Sequence, residues 1–386
     1  MTDHDAPAPS AYDYPLLIRH LLHTPLVTAR HQEIVHPDGG HYDYATFAER
    51  VSRLASGLAG LGVGRGSTVA VMSWDTHCYL ECFFAIPMLG AVLHTVNIRL
   101  SPEQILYTIN HAEDDVIIVH ADFVALLEQI APRIERPVGI VLMEDGITDA
   151  SGALALDGEY EGLIASGNPA HAFEDFDERT RATTFYTTGT TGEPKGVYFS
   201  HRQIVLHTLG FLTHYCMANE HGRFTRDDVY MPITPMFHVH AWGVPFAATL
   251  MGLKQVYPGR YEPDKLLGLI EREQVTFSHC VPTILHMLLE APAAAKTDLS
   301  RWKVVVGGSA LPRGLARAAR ERGIDVFGGY GMSETCPVVT VAHLEDDMID
   351  DDSNAELDRR LKSGRPLPMV DLRIVDEQMN DVPRDG

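Results

Sequence analysis

The sequence has few basic residues for its length, and its cysteines do not form a metal-binding pattern. Lys and Arg number 31 against 52 Asp and Glu, which gives a formal net charge of −21 over 386 residues. This balance argues against general nucleic-acid binding, which needs a basic face. The five cysteines are scattered without a CxxC pair. We therefore expect buried free thiols in a reducing cytosol, and no nucleic-acid partner.

The chain also lacks a recognisable targeting or membrane-spanning segment. Residues 1–15 are polar and rich in Pro, Ala and Asp, without the positive start and apolar run of a signal peptide, and we expect a flexible tail there. The apolar stretch 83–96 contains Pro87 and His94 and is too short to cross a bilayer. These features predict a soluble, cytoplasmic protein with no membrane span.

Hydrophobic patterns of helices and strands alternate along most of the chain. Helical patterns cover 44–61, 76–89, 101–111 and 121–130, and buried strands cover 68–73, 91–96, 115–120 and 138–143. After an acidic segment at 144–180, helices are expected at 201–215, 240–251, 262–273, 282–290 and 312–322, with short strands near 229, 255, 275, 303 and 324. This order predicts right-handed βαβ units and an α/β fold with largely parallel sheets.

One segment carries more chemical information than any other, the run 186–196 with the sequence Tyr-Thr-Thr-Gly-Thr-Thr-Gly-Glu-Pro-Lys-Gly. Glycines let backbone N–H groups turn towards an anion, and hydroxyls and a lysine add further donors. Because β-prone stretches flank it, we favour a phosphate-binding loop over a solvated turn. It is not a Walker A loop, since Lys195 lies between Pro194 and Gly196 and no G-x-x-x-x-G-K-[ST] run occurs in the chain.

A second candidate lies at 325–335, where a strand pattern runs into the sequence Gly-Gly-Tyr-Gly-Met-Ser-Glu-Thr. The ring of Tyr330 is suited to stacking on a base, and the carboxylate of Glu334 to binding Mg²⁺. Glu334 is equally suited to the start of a helix, where the dipole favours a negative charge, and this role is compatible with metal binding. Glycine-rich turns after strands are common, so this pattern alone leaves a nucleotide role open.

Two further segments are ambiguous when taken alone. The strand pattern 304–306 leads into a turn of small residues at 307–310, which is ordinary for a strand-to-helix connection. The segment 236–242 contains an H-x-H pair, His238 and His240, but no third ligand is evident for a metal. Trp242, at the end of this segment, would by default be a core residue.

Together, the Thr-Thr-Gly-Thr-Thr-Gly-x-Pro-Lys-Gly run and the Gly-Tyr-Gly-x-Ser-Glu run resemble the adenylate-forming superfamily of acyl-CoA synthetases, luciferases and peptide-synthetase adenylation domains. The resemblance extends from about residue 42 to residue 386. It implies the large N-terminal adenylation domain, 16–386, with two parallel-sheet-rich αβ subdomains at roughly 16–180 and 181–345 and a smaller β region at roughly 346–386. It also implies that the small C-terminal domain, with its lysine for adenylation, is absent, so that this chain alone would be a poor catalyst.

The resemblance implies a role for individual residues. Lys195, Thr190, His238 and Glu334 would be catalytic, with Glu334 and Thr190 at Mg²⁺. The run Phe-His-x-x-Ala-Trp is similar to fatty acyl-CoA synthetases, in which the tryptophan gates the acyl tunnel, so His238 and Trp242 would contact the acid. The nucleotide-binding residues would be Thr187, Thr188, Gly189, Thr190, Thr191, Gly192, Lys195, Gly308, Ser309, Ala310, Gly329, Tyr330, Gly331, Met332, Ser333 and Thr335.

The activity implied is that of an ATP-dependent carboxylate–CoA ligase for a medium- or long-chain fatty acid, which uses ATP, Mg²⁺ and CoA and releases AMP and pyrophosphate. The alternatives are a ligase for a short, aryl or sulfur-containing acid, and a nucleotide-binding module without full catalysis. The shared motifs concern ATP more than the acid, so the sequence leaves the acid open. It also leaves open whether the protein forms a homodimer.

Overall fold

The computed structural model describes residues 10–144, 154–187, 192–218, 221–349 and 353–383. Its strands are β1 Glu33–Val35, β2 His41–Asp43, β3 Thr68–Met72, β4 Val92–Thr95, β5 Val116–His120, β6 Gly139–Met143, β7 Gly158–Glu159, β8 Arg181–Thr187, β9 Lys195–Ser200, β10 Val229–Tyr230, β11 Lys254–Val256, β12 Phe277–Cys280, β13 Lys303–Val306, β14 Asp325–Gly331, β15 Val338–Val341 and β16 Arg365–Pro366. Its helices are α1 His23–Thr28, α2 Tyr44–Gly60, α3 His77–Met88, α4 Pro102–Ala112, α5 Val124–Ile130, α6 Tyr160–Ser166, α7 His201–Met217, α8 Val239–Trp242, α9 Val244–Met251, α10 Pro263–Glu273, α11 Pro282–Glu290, α12 Arg313–Glu321 and α13 Ser353–Arg360.

The strands form two large sheets, which confirms the predicted α/β class. The first sheet has the order β7-β6-β5-β3-β4-β8-β9 and is parallel except for the antiparallel pair β8 and β9. The second has the order β16-β15-β14-β13-β12-β10-β11-β1-β2, with parallel pairing in its centre and antiparallel pairing at both ends. Helices separate most of the parallel strands along the chain, as right-handed crossovers require.

The sheets do not follow the predicted subdomain bounds. β8 and β9 lie after residue 180 but pair into the first sheet, while β1 and β2, near the start of the chain, pair into the second. The subdomain bounds themselves stay a prediction.

Serine side chains cap the starts of two of the predicted helices. Ser101 begins α4 and Ser200 begins α7, and each side chain accepts the N–H of the residue three positions later. In both cases that residue is a glutamine, Gln104 or Gln203, whose side chain returns a bond to the serine backbone, so the motif is a capping box.

The predicted helix 240–251 is wrong at its start. The segment Val239–Trp242 is a single left-handed turn, with φ of 47°, 56°, 48° and 58°, and the right-handed helix α9 begins only at Val244. Gly243, with φ of 74°, separates the two. Left-handed backbone costs roughly 1–2 kcal/mol for each non-glycine residue. The turn must therefore be held by its surroundings rather than by its own preferences.

The packing around this turn supplies that support. Val239 and Ala241 are buried in the large core around the first sheet, whereas Trp242 and Val244 are buried in a smaller core beside the second sheet. The turn thus passes from one core to the other between Ala241 and Trp242. Within the described ranges, no helix is long and apolar enough to cross a membrane.

A buried ion pair joins α2 to α3. The carboxylate of Glu81 is fully buried and lies 2.7 Å from the Nε of Arg50. It also accepts hydrogen bonds of 2.7 Å from the hydroxyls of Tyr42 and Tyr160. Because the same guanidinium binds Glu161 on α6 at 2.6 Å, this arrangement fixes three helices against one another.

Replacing Arg50 by methionine should destabilise the protein by about 3 kcal/mol or more, because the buried Glu81 carboxylate loses its counter-charge. The free energy of unfolding in urea, measured at pH 7, would show the loss. Arg133→Met is the matched control, since Arg133 pairs with Glu103 at the surface, and this variant should leave the urea midpoint nearly unchanged. Similar midpoints for both variants would contradict a structural role for the buried pair.

Several buried histidines make the fold sensitive to acid. Burial lowers the pKa of His240 to about 3 and that of His201 to about 4, so both are neutral in the folded protein. The unfolded chain takes up protons on its histidines below a pKa of about 6.5. Since the unfolded state binds more protons below that value, stability should fall as the pH falls from about 6.5 towards 4.

His240→Phe isolates one share of this effect, because the imidazole lies among the rings of Phe83, Phe185 and Phe246. On going from pH 7 to pH 5, the unfolding free energy of the variant should fall by about 2 kcal/mol less than that of the unmodified protein. This difference is the effect of one histidine that takes up a proton only in the unfolded state. Urea unfolding at the two pH values provides the test. An unchanged pH dependence would show that the His240 ring is protonated without cost.

Candidate nucleotide and acid site

A cavity of about 280 Å³ lies where β13 and β14 end, beside the left-handed turn. In parallel sheets, ligands bind at the carboxyl ends of the strands, and this cavity is in that position. The predicted residues His238, Trp242, Gly308 and 329–333 all line it, although they come from three separate parts of the sequence. The other lining residues are Val239, Val305, Gly307, Pro337 and Val338, of which the sequence analysis named none as a site residue.

The glycines at the ends of the two strands keep this cavity open. A Cβ on Gly307 would lie 3.0 Å from a ring carbon of Trp242 and 3.0 Å from the carbonyl oxygen of Gly329. The next residue, Gly308, has φ of +77°, which side-chain-bearing residues rarely adopt. Gly307 is therefore required by close contacts and Gly308 by the backbone turn. The run Val-Gly-Gly was the feature of the sequence that could have indicated Gly307 as a cavity residue.

His238 presents its side chain to the cavity. The imidazole reaches solvent there, while the surrounding protein, together with the positive charge of Arg99, lowers its pKa below the usual value. The ring is therefore neutral at neutral pH and has a nitrogen free to accept a hydrogen bond or a proton. The backbone before it is fixed from the first sheet, because Asp75 accepts the N–H of Met236 at 2.9 Å and Thr95 donates to the carbonyl of Phe237 at 2.9 Å.

The two histidines of the H-x-H pair have different surroundings. His238 lines the cavity, whereas His240 is buried and its Nε2 has no hydrogen-bond partner among the described residues. In the same residues there is no group of three or more His, Cys, Asp or Glu side chains that could hold a metal ion. The two histidines therefore have different structural positions: His238 lines the cavity, and His240 packs among aromatic rings.

The predicted phosphate loop joins the antiparallel strands β8 and β9, and Thr187 pairs with Lys195 across the hairpin. Thr188, Gly189, Thr190 and Thr191 lie outside the described residues. Gly192 has φ of +100°, and Lys195 is exposed. At the base of the hairpin the hydroxyl of Tyr186 lies 2.8 Å from His111 Nδ1. This bond ties the loop to α4, so that the start of the loop is held in place.

Glu334 and Thr335 do not line the first cavity. They line a second, open cavity of about 550 Å³, and Tyr330, Met332 and Val338 line both cavities. Glu334 is exposed, and an exposed carboxylate is the type of ligand that Mg²⁺ accepts. Thr335 has a local role, because its hydroxyl donates to the Met332 carbonyl at 2.9 Å and accepts the Met332 N–H at 3.0 Å.

The second cavity also connects the two predicted nucleotide motifs. Phe199 on β9 of the phosphate hairpin and Gln203 on α7 line it together with Glu334. His207 on α7 accepts the N–H of Val338 at 3.2 Å, which holds α7 against the segment after Glu334. Ser309 and Ala310 are exposed and follow Gly308, but they do not line the first cavity. The nucleotide roles of all these residues stay predictions.

The sequence analysis did not anticipate a small pocket of about 220 Å³ around Asp75, Arg99 and Tyr261. Burial raises the pKa of Asp75 to about 7, against the opposing effect of its hydrogen bonds to Tyr261 and Met236. The available signal was the sequence Trp-Asp-Thr directly after β3, at the carboxyl end of a parallel strand. Its evident effect is to fix the segment that leads to His238.

The chain is similar to known proteins over most of its length. A model of the AMP-binding enzyme family matches residues 23–386. The long-chain-fatty-acid–CoA ligase of Thermus thermophilus is 40% identical over 347 residues, which are 89% of this chain and 61% of that protein. A 3-methylmercaptopropionyl-CoA ligase of Ruegeria pomeroyi is 38% identical over 351 residues, with 89% of this chain and 64% of that protein covered. The chain thus spans less than two thirds of the length of these relatives.

The fold is also found among solved structures. An anthranilate CoA ligase, solved in complex with anthranoyl-AMP, matches with a TM-score of 0.83 at 23% identity, covering 96% of this chain and 68% of that chain. At this identity the likeness establishes the fold alone. The family match over residues 23–386 and the identity to the two ligases go further. The chain belongs to the AMP-binding enzyme family.

Proposed function

We propose that this protein activates a carboxylic acid with ATP and transfers the acyl group to CoA. The observation that carries the proposal is that His238, Trp242 and the segment 329–333 line the same cavity. This cavity combines a neutral imidazole, an apolar wall and an aromatic face at the ends of parallel strands. Membership of the AMP-binding family and the ligases among its relatives support the same chemistry.

The reaction has two halves. A carboxylate oxygen of the acid attacks the α-phosphorus of ATP, an O–P bond forms, and the bond to the β-phosphate breaks to release pyrophosphate. The thiolate of CoA then attacks the acyl carbon, a C–S bond forms, and the C–O bond to AMP breaks. Both steps depend on positioning and on neutralising negative charge, rather than on a covalent bond to the protein.

The residues present fit these demands. We assign the adenosine to the Tyr330 ring and to residues 307–308 at the strand end. We assign the phosphates to the loop between β8 and β9, which leads to the exposed Lys195. His238 would lie at the carboxylate, where its neutral ring accepts or orients a proton without adding charge. Glu334 would hold Mg²⁺, since this ion binds proteins through one or two carboxylates together with substrate phosphates. The bound ion would neutralise phosphate charge.

The acid that we assign is aliphatic. Trp242, Val305 and Val239 give the cavity an apolar wall beside His238, and the long-chain ligase of Thermus thermophilus supports a fatty acid. A short sulfur-containing acid is the second candidate, supported by the Ruegeria pomeroyi ligase at almost the same identity.

Acid-dependent exchange of labelled pyrophosphate into ATP tests the proposed function directly. We expect slow exchange that requires an aliphatic acid, measured across acids from acetate to dodecanoate, because the family resemblance implies that this chain alone is a poor catalyst. Binding of MgATP without any acid-dependent exchange would instead support a nucleotide-binding module without catalysis.

Glu334→Gln should abolish most of the gain in ATP affinity that Mg²⁺ provides, because the variant removes one charged ligand of the metal. A charge-assisted contact of this kind is worth about 1.5–3 kcal/mol. Calorimetric titration of ATP with and without Mg²⁺ measures the effect. Glu321→Gln, an exposed carboxylate on α12, is the matched control and should retain the full gain. An equal Mg²⁺ effect in both variants would exclude Glu334 as a ligand.

A further inference from the structure

Glu334 lies in the short turn that connects β14 to β15, and the base of this turn is closed. Gly331 pairs with Val338 across the two strands, and the N–H of Met332 donates to the carbonyl of Pro337 at 3.2 Å. A Cβ on Gly331 would collide with the carbonyl oxygen of Pro337, so only glycine permits this closure. Because the turn is closed on itself, the position of Glu334 depends on what holds the base.

One helix, α7, holds this base from outside. The Nε2 of His207 accepts the N–H of Val338 at 3.2 Å, and the thiol sulfur of Cys336 lies 4.0 Å from the carbonyl oxygen of Gln203. Gln203 and His207 are four residues apart, so the two contacts lie about one helical turn apart. The helix therefore contacts the turn at two successive points.

The bond from His207 is the stronger of these two contacts. Val338 is only 7% exposed, and a buried backbone N–H that loses its acceptor is costly. Since Nε2 accepts this N–H, the proton of the neutral ring is on Nδ1. Burial in the surrounding protein lowers the pKa of His207 to about 4, so the imidazole keeps its acceptor at neutral pH.

The same helix begins directly at the phosphate hairpin. β9 runs from Lys195 to Ser200, and α7 starts at the next residue without a loop. Ser200 accepts the N–H of Gln203 at 3.3 Å, and the Gln203 side chain accepts the N–H of Ser200 at 2.9 Å. This capping box fixes the direction of the helix relative to the strand. The strand with Lys195 and the helix with His207 thus form one unit.

The coordination of magnesium makes the distance across this unit important. Mg²⁺ requires near-ideal octahedral geometry at about 2.0–2.1 Å, and it binds through one or two carboxylates together with substrate phosphates. The proposed function places Glu334 and the phosphate hairpin at one nucleotide–metal complex. A shift of about 1 Å between them would break this coordination. The helix α7 contacts both of them.

We propose that His207, by accepting the N–H of Val338, holds the Glu334 turn at the distance from the phosphate hairpin that one Mg²⁺–nucleotide complex requires. His207 is thus a positioning residue, which acts through Glu334. This inference rests on the proposed ligase function and on its assignment of Mg²⁺ to Glu334. His207 also lines the second cavity, so the competing explanation is direct contact between the imidazole and the ligand.

Calorimetric titration of ATP into the purified chain, with and without Mg²⁺, tests the proposal. His207→Leu removes the acceptor, and the gain in ATP affinity that Mg²⁺ provides should fall at least about tenfold, the loss expected for one misplaced charged contact. The affinity for AMP, which lacks the β- and γ-phosphates, should be retained. His207→Gln, whose amide oxygen can occupy the position of Nε2, should keep most of the gain. An unchanged gain in His207→Leu would overturn the proposal.

His201→Leu is the matched control on the same helix. His201 is also a buried neutral histidine of α7, and its Nδ1 accepts the N–H of Ile18 at 3.2 Å, but it lines neither cavity. This variant should lose stability and keep the full Mg²⁺ gain. An equal loss of the gain in His201→Leu and His207→Leu would show that any damage to α7 has this effect, and would contradict a specific role for His207.

A double-mutant cycle with Glu334→Gln separates positioning from direct contact. If His207 acts through Glu334, then His207→Leu should reduce the Mg²⁺ gain little further in the Glu334→Gln protein, because coupled residues give non-additive effects. An undiminished effect in that background would show that His207 acts on the ligand directly, and it would overturn the positioning role.

The Glu334→Gln protein also separates failure of this inference from failure of the proposed function. Loss of the Mg²⁺ gain in Glu334→Gln, together with a full gain in His207→Leu, would overturn the positioning role alone. A full gain in Glu334→Gln would overturn the assignment of Mg²⁺ to Glu334, and with it the inference about His207. Absence of ATP binding to the unmodified chain would overturn the proposed function itself and this inference with it.

Discussion

The left-handed turn Val239–Trp242 is the constraint on which the site depends. Four consecutive residues with side chains in this conformation would cost several kcal/mol in isolation, at roughly 1–2 kcal/mol each. The turn persists because its first three residues pack in the core around the first sheet, with His240 among phenylalanines of that core, and Trp242 packs in the smaller core beside the second sheet. His238, just before the turn, and Trp242, at its end, line one cavity. Packing thus offsets the strain in the backbone and holds these two side chains at the same cavity.

The sequence predicted most of the elements because their signals are local. Helical spacing, serine caps and short apolar runs give the positions of helices such as α4 and α7, and glycine-rich runs mark the strand ends around 307 and 329. The exchange of β1 and β2 into the second sheet was not predictable, because pairing across more than 200 residues leaves no local pattern. The left-handed turn was missed since four side-chain-bearing residues at positive φ contradict every intrinsic preference.

In the candidate site, too, local motifs were predictable from the sequence, whereas long-range contacts were not. Motifs singled out Tyr330 and His238, and both line one cavity. Gly307, which shapes the space around them, lies in an ordinary strand-to-helix connection, and its close approach to the Trp242 ring is evident only from the structure. A motif therefore reports the chemistry shared by a family, whereas the size of a pocket is set by residues whose partners are distant in the sequence.

The position of Lys195 has a consequence apart from nucleotide binding. Within the described residues β9 is the last strand on its side of the first sheet, so one row of its backbone groups faces no further strand. Open edges of this kind promote pairing between molecules, and a lysine on the edge opposes it. When no nucleotide is bound, the Lys195 ammonium that we propose to bind phosphate therefore also opposes pairing of this edge with a strand of another molecule.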